Sequence, residues 1–600
     1  MTRLLAVVFA VSAFVSACSG PEASDPIDLM DAPYVVFAPV EEQEIPTRIR
    51  LDGDTRRSLA ASTPSEFRYR IQVPERALLT FAVAIITAPG AERAEPLPGD
   101  HVRFSLRAGV SSASELLFER SIHVARRGQW IEQEVDLRAL AGNTIWLVFQ
   151  TSFPGAPEGE ALPVVGIFAE PVLHDRARYR QGRGVLLVSI DTLRRDHVSL
   201  YGYPRRTTPG LEALAAESVV FDDAVSTSSW TLPAHASLLT STYPSVHGAV
   251  NLNVGLSPAW PSVATLLQKA EFTTQALVTH VYLSTEYGFG EGFDRHVYLP
   301  ETRAEEVTNR AIRFLRAMGD REFFLFLHYY DPHWHYDPPA PYDETFDPSY
   351  DGDVSGVWWD FKELDRESID PRDLHHIEAL YDGEILYTDR HVERLMRSMK
   401  ELDIFDKTLI VVTSDHGEEF LEHGSWEHQK TLYEEQLRVP LIIKFPEGER
   451  AGRRVSEQVT LLDVAPTIAD VMGLRVPATF RGVSLRGEVV ENRALWSETE
   501  HTIDGTHKFS LRRGASSSKA IFSVSGSLSD GSVDVELFDL QEDPSELEAV
   551  TDDEMRQRVE RQLRDYLASA AAAREGRTDT PNVELDPLER ERLRALGYIQ

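Results

Sequence analysis

Six hundred residues exceed one ordinary domain and suit either several domains or one large α/β core with attachments. Hydrophobic residues make up 42% and charged residues 26%, which excludes a disordered, fibrous or many-span membrane chain. The formal charge of −34 argues against a nucleic-acid partner, and a single cysteine excludes an intrachain disulfide framework.

That cysteine is Cys18. Met1-Thr2-Arg3 precedes a mostly apolar run from Leu4 to Ala17. The run is short for a membrane-spanning helix and fits the apolar region of a secretory signal. It closes on Val15-Ser16-Ala17-Cys18, which resembles a bacterial lipobox. Residues 1–17 are therefore expected to be a signal peptide, with Cys18 lipidated and the chain anchored in the bacterial cell envelope. Ser19 after the cysteine favours the outer membrane where there are two membranes. A plain signal peptide or an uncleaved anchor is the alternative. Residues 18–32 are polar, acidic and Pro-containing, as a tether is.

From 33 to 178 the pattern predicts short strands. Phe67-Arg68-Tyr69-Arg70-Ile71-Gln72-Val73 alternates strictly, and Val102 to Arg107, Trp130 to Leu137 and Thr144 to Phe149 behave alike. Short strands with Pro- and Gly-containing breaks read as an all-β sandwich, jelly-roll-like. It contains no catalytic cluster and serves either as a spacer or as a glycan-binding module.

At Gly184 the texture changes. Val185-Leu186-Leu187-Val188-Ser189-Ile190 is nearly continuous in apolar residues, as a buried central strand is. Phe323 to Leu327, Leu409 to Ser414 and Val439 to Ile443 follow suit, with helical stretches at Thr302 to Met318 and Asp373 to Leu402. Alternating strands and helices predict an α/β core with a mostly parallel sheet, whose ligands bind beyond the carboxyl ends of the strands. Three strand ends carry metal-type ligands: Asp191, then Asp331, His333 and His335, then Asp415-His416-Gly417-Glu418. Each alone suits a helix cap or a hydrogen-bonded polar residue. Three in one core point to a metal centre.

Ser229-Trp230-Thr231-Leu232-Pro233-Ala234-His235, with Tyr243-Pro244-Ser245-Val246-His247-Gly248, resembles the nucleophile segment of the sulfatase family, within the alkaline phosphatase superfamily. The resemblance runs over most of 184 to 550, through Asp191-Thr192, Phe289-Gly290-Glu291-Gly292-Phe293-Asp294, Tyr381-Asp382-Gly383-Glu384 and Asp415-His416-Gly417-Glu418, to Leu537-Phe538-Asp539-Leu540 and Asp543-Pro544. It implies an alkaline-phosphatase-like core at 179–490, a mostly parallel sheet flanked by helices. A C-terminal subdomain follows at 491–550, and a helical tail at 551–600 continues from an amphipathic helix at 552–573 to a second short helix at 585–596.

The chain departs from the family where sulfatases carry a formylglycine precursor, Cys or Ser, and an Arg four residues on. Here these are Thr231 and His235. Threonine cannot yield the formylglycine aldehyde, so a metal-activated Thr231 alkoxide is the expected nucleophile. The resemblance implies metal ligation by Asp191, Asp415, His416 and Thr231. The imidazole moves preference toward zinc or manganese, with calcium or magnesium less favoured. His428 stands where relatives carry a Lys over the leaving group and can act as general acid. His333 matches the family's substrate-contacting histidine. His235 serves as a substrate contact, an orienter or a structural residue. Asp331 and His335, with His428 or His423, either hold a second metal or serve as hydrogen-bonding groups. The expected activity is hydrolysis of phosphate or phosphonate esters ahead of sulfate esters, on a substrate such as a glycan or lipid head group. The alternatives are transfer of a phospho-substituent to an envelope acceptor and non-catalytic glycan binding.

Overall fold

The computed structural model describes residues 7–8, 27–30, 32, 34–37, 47–51, 54–61, 63–75, 77–87, 101–110, 115–154, 164–175, 182–318, 321–361, 364–500, 506–514, 517–525, 532–577, 581–583 and 590. Cys18, most of the expected tether and the short helix expected at 585–596 lie outside them. Among the described residues no helix is long and apolar enough to cross a membrane. The chain divides into two compact units, Met1–Arg180 and Gln181–Gln600.

The first unit is built from two antiparallel sheets. One orders Val7–Val8, Tyr34–Phe37, Ser65–Gln72, Thr144–Ser152, His101–Gly109 and Glu115–His123. The other orders Ile131–Asp136, Ala77–Thr87, Val164–Asp175, Asp54–Ala60 and Thr47–Leu51, with Ile27–Asp28 beside Val164–Asp175. Burial alternates along Ser65–Gln72, so every second side chain enters the core. Phe104 and Phe149 from the first sheet meet Phe81 and Phe168 from the second edge to face, which gives the two sheets one shared core.

The second unit carries a nine-stranded sheet: β1 (Gly184–Ile190), β2 (Val219–Val225), β3 (Thr273–Val278), β4 (Arg295–Tyr298), β5 (Phe323–Tyr329), β6 (Leu409–Thr413), β7 (Arg438–Lys444), β8 (Arg453–Val455) and β9 (Val459–Thr460). The order is β4-β3-β5-β1-β6-β7-β2-β8, with β9 beside β2. β1 lies parallel between β5 and β6, buried along its whole length as its unbroken apolar run requires. The mostly parallel sheet is thus present, with one reversed strand. β7 runs antiparallel to both its neighbours, because the segment 414–437 leaves β6 and re-enters the sheet without a crossover.

Among the helices around this sheet are α1 (Thr231–Thr240), α2 (Ala304–Met318) and α3 (Pro371–Glu401). Asp370 caps α3 by accepting from the Arg372 N–H, and Pro371 occupies its first turn. Tyr381 of α3 donates its hydroxyl to the Thr192 carbonyl at 2.6 Å, which pins the helix to the turn just past β1.

Beyond the core, Ala494–Glu500, His507–Arg513, Ser518–Ser525 and Ser532–Asp539 form a four-stranded antiparallel sheet. Helix α4 (Asp553–Arg574) covers it, capped by Asp552 and burying Val559 and Leu563 among Trp496, Phe522 and Leu537. Tyr566 of α4 stacks on Trp496 at 4.4 Å and donates its hydroxyl to Glu498. Glu498 also accepts from the Ser245 N–H and hydroxyl, each at 3.0 Å. Strand, helix and the segment just after α1 are thereby tied together.

Burial pushes the Glu498 carboxyl up to about 7. The folded chain holds this proton more tightly than the unfolded chain does. The associated stabilisation is complete below the ordinary glutamate range and is lost as pH rises through about 7. Glu498→Gln is therefore expected to gain stability relative to the parent between about pH 6 and 8, by roughly 1 kcal/mol. Denaturant melts across that range measure it, and a constant difference between the two proteins would refute the assignment.

Candidate active site

The site grows from the carboxyl ends of β1 and β6, which are adjacent. Asp191 follows β1, its N–H donating to the Tyr329 carbonyl at 2.9 Å, and Thr192 turns the chain with φ +52°. Asp415 follows β6 after one residue. Its Oδ1 accepts from the His416 N–H at 3.0 Å and the Thr192 N–H at 3.4 Å. α1 begins at Thr231, which places that hydroxyl at the positive end of a helix.

These elements converge. Thr231 Oγ1 is 3.4 Å from His416 Nε2. His416 Nε2 is 3.3 Å from Asp415 Oδ2 and 3.7 Å from Asp191 Oδ1. All four side chains are buried. Both Asp191 oxygens and Asp415 Oδ2 have no hydrogen-bond partner among the described residues. Burial pushes Asp191 up to about 7; burial and the Asp191 charge push Asp415 up to about 6. Buried carboxylate oxygens without donors call for a cation. The set of carboxylate oxygens, one imidazole and one hydroxyl fits a divalent metal.

Backbone partners fix which nitrogen each imidazole turns to the site. His416 Nδ1–H donates to the Gly417 carbonyl at 2.8 Å, so Nε2 keeps its lone pair for a metal. His235 Nδ1–H donates to the Thr231 carbonyl at 2.9 Å, while Nε2 accepts from the Ser189 hydroxyl at 2.9 Å. Both nitrogens of His235 thus serve to tie the start of α1 to β1. Among the roles open from the sequence this geometry suits the orienter and not the substrate contact.

His333 Nδ1–H donates to the Trp334 carbonyl at 3.0 Å. Its ring lies 5.1 Å from that of His428, which lies 4.5 Å from that of His416. His428 Nδ1 is 3.0 Å from Glu418 Oε1, and Glu418 Oε2 accepts from the Tyr336 hydroxyl at 3.1 Å. Burial raises Glu418 to about 8 and lowers His428 to about 4. The pair therefore holds a proton at neutral pH.

Three participants escape the sequence pattern. His328 lies in β5, its Nδ1 2.7 Å from the Thr279 hydroxyl and its Nε2 3.4 Å from Asp191 Oδ2. A histidine inside a wholly buried apolar strand is the available signal. His280 follows β3 and groups with Asp191 and His333. Its Nδ1 accepts from the Tyr282 N–H at 3.2 Å, so Nε2 carries the proton. Glu418 is visible in the Asp-His-Gly-Glu run, but its pairing with His428 is not.

The expected second-metal set is not brought together. Asp331 sits beside Arg303 and Ala304 at the start of α2, and its charge bears on Glu384 of α3. His335 Nδ1 accepts from the Trp358 N–H at 2.7 Å. His423 stacks on Tyr433 at 3.5 Å and pairs with Glu435 at 2.9 Å. Spacing on a loop does not fix direction: His335 and His423 find partners of their own, while both Asp331 oxygens have no hydrogen-bond partner among the described residues.

In metal-free protein the raised Asp191 and Asp415 pKa values make stability fall as pH rises through about 6 to 7. A bound divalent cation is expected to offset this loss, so the metal-induced rise in melting temperature should grow between about pH 5 and 8. Asp415→Ala should remove both the rise and the bound metal. Metal analysis with thermal melts tests this, and a pH-independent rise retained by the variant would count against the site.

Comparison with known proteins bears on the same residues. The Sulfatase family profile matches residues 183–474, and that of the N-sulphoglucosamine sulphohydrolase C-terminal region matches 421–573. An arylsulfatase of Clostridium perfringens is 24% identical over 475 residues, 66% of this chain and 96% of the relative. An N-acetylglucosamine-6-O-sulfatase of Bacteroides thetaiotaomicron is 23% identical over 425 residues, 56% and 76% of the two chains. Among solved structures, a phosphonate monoester hydrolase from Silicibacter pomeroyi aligns with TM-score 0.55 at 23% identity, covering 65% of this chain and 96% of that one. A protein solved with its substrate D-glucosamine-2-N,6-O-disulfate aligns with TM-score 0.56 at 19% identity, covering 66% and 99%. With a mostly parallel sheet, ligands at its strand ends and two family matches spanning 183 to 573, the chain belongs to the sulfatase family of ester hydrolases, within the alkaline phosphatase superfamily.

Proposed function

We propose that the protein is a divalent-metal-dependent hydrolase that attacks through Thr231, with phosphonate monoesters and phosphodiesters ahead of sulfate esters. The observation that carries this reading is Thr231 Oγ1 at the start of α1, 3.4 Å from His416 Nε2 and in one cluster with the donor-free oxygens of Asp191 and Asp415. Asp191, Asp415 and His416 are the residues to hold the metal, whose positive charge lets a hydroxyl ionise near neutral pH. The Thr231 oxygen attacks phosphorus in line; the new O–P bond forms as the bond to the leaving oxygen breaks. His428, sharing a proton with Glu418, protonates the leaving oxygen. Water then displaces Thr231 from phosphorus and gives a proton back to His428. His280 turns an N–H toward the non-bridging oxygens, and His235 keeps the Thr231 backbone in place.

Charge supports the substrate class. Burial lowers His235, His328 and His416 to about 4 and holds His280 and His333 well below their ordinary value, so all five are neutral. The Arg194 guanidinium is turned to the Glu418 carbonyl at 3.1 Å and to Asp196 at 2.7 Å. The metal is then the main positive charge facing the substrate, which suits a monoanionic ester better than a phosphate monoester dianion. The name of the Silicibacter relative is in keeping with a phosphonate substrate. Sulfate esters, also monoanions, are the second reading. They are favoured by the names of the Clostridium and Bacteroides relatives.

Thr231→Ala is expected to lower turnover at least ~10³-fold, whereas Thr231→Ser keeps much of it. The assay is a panel of 4-nitrophenyl phosphonate, phosphodiester, phosphate and sulfate with metal-loaded protein. Rapid quench with mass spectrometry should find the phosphorus adduct on Thr231. An active Thr231→Ala variant without any adduct would assign the attack to water.

A further inference from the structure

The outer face of the first sheet of the sandwich carries side chains that the catalytic reading leaves unused. Along Ser65–Gln72, Phe67, Tyr69 and Ile71 enter the core, and Arg68 and Arg70 face solvent. Along Thr144–Ser152, Ile145, Leu147 and Phe149 enter the core, and Trp146 stands outward, 36% exposed. Register places Trp146 directly between Arg70 on one neighbouring strand and Gly109 on the other. One flank of the indole thus has a guanidinium, and the other has no side chain at all. In the next outward row Val148 lies between Arg68 and Arg107.

Strands about 4.8 Å apart and outward residues about 6.8 Å apart bring these groups within roughly 15 Å. Arg70 has no carboxylate partner among the described residues, while Arg68 meets Glu66. A further outward row is polar: Gln150 donates to Glu66 at 2.6 Å and accepts from the Ser105 hydroxyl at 3.3 Å. Against a chain charge of −34, Arg68, Arg70 and Arg107 concentrate positive charge around an exposed tryptophan, with Glu66 and Glu119 confined to the adjoining row.

The occupant follows from that combination. A planar guanidinium matches sulfate and carboxylate groups in bidentate fashion. A flat, open indole offers its face to the C–H side of a sugar ring. Amide and hydroxyl groups in the adjoining row suit sugar hydroxyls. The overall acidity disfavours the denser charge of nucleic acid. The outward apolar residues Trp146 and Leu116 are separated by arginines and Val148 is buried, so the face lacks the continuous apolar surface that enters a bilayer.

We propose that this face, centred on Trp146 with Arg68, Arg70 and Arg107, binds an anionic polysaccharide, sulfated or carboxylated, with a sugar ring on Trp146 and acidic substituents on the arginines. The site is separate from Thr231 chemistry and stands whether or not that mechanism holds.

Affinity electrophoresis of the full chain in dextran sulfate, chondroitin sulfate and neutral dextran tests it. Retardation is expected with the two charged polymers and not with dextran, and should weaken as salt rises. Trp146→Ala and Arg70→Ala should each weaken binding about tenfold. Turnover of a small 4-nitrophenyl ester should be unchanged in both. Arg70→Ala alters only an exposed side chain, so it remains a folded test if Trp146→Ala is damaged. Equal retardation of parent and Arg70→Ala, or equal retardation by neutral dextran, overturns the proposal. So does binding to phosphatidylglycerol–phosphatidylcholine vesicles without retardation by either charged polymer.

Discussion

Two buried carboxylates, Asp191 with no hydrogen-bond donor on either oxygen and Asp415 with none on Oδ2, set the terms for everything around them. Their positions are a consequence of sheet order. β1 and β6 are parallel neighbours, so the first polar residues beyond them arrive at the same edge. Placing two like charges together in a low-dielectric interior costs several kcal/mol unless something positive joins them. The protein meets them with histidines that burial holds neutral. It supplies imidazoles, a hydroxyl and the start of a helix. That arrangement makes sense as a seat for a cation, and the same cation explains why Thr231 is held where an alkoxide could be stabilised.

The imidazoles are the distinctive feature of this chain. His235 and His428 stand where the resemblance to sulfatases implies Arg and Lys, and His280 and His333 complete the surround. An imidazole differs from those residues in that its environment decides its charge. Here burial keeps the rings neutral, and their backbone contacts decide between lone pair and N–H. The result is a site with directional polar groups but little fixed positive charge of its own. That low fixed charge is what the proposed preference for monoanionic esters rests on.

Much of this was legible from residue order. Continuous apolar runs marked β1, β5 and β6 because strands buried on both faces need no alternation. Polar residues just past those runs identified Asp191, Asp415 and His416 because the fold brings strand ends together. Alternation marked Ser65–Gln72 in the sandwich because one face of that strand is wet. What escaped was direction. Asp331, His333 and His335 are neighbours in sequence, yet only His333 reaches the centre, since an irregular segment has no fixed period. His328 escaped for the opposite reason: it sits inside a strand whose pattern promised only packing. The reversed sense of β7 was also hidden, because an apolar run carries no sign of its direction.

That reversed strand has a functional consequence. A parallel connection from β6 would carry the chain across the sheet face and back, far from the strand ends. The antiparallel return keeps all of 414–437 at one end. Glu418 and His428, on either side of the short Glu419–Phe420 and Trp426–Glu427 hairpin, therefore meet each other beside His416. The hairpin is itself pinned: Arg194 donates to the Glu418 carbonyl, and the Trp426 indole donates to the Leu364 carbonyl. Thr499, on the C-terminal sheet, donates to the Gln429 carbonyl just after His428. Glu498 beside it holds the segment that follows α1. The Glu418–His428 pair and the helix that starts at Thr231 are thus fixed from the same strand, 494–500, although neither lies on it. The C-terminal sheet supplies no reacting group in the proposed scheme; it helps to set the distance between His428 and Thr231.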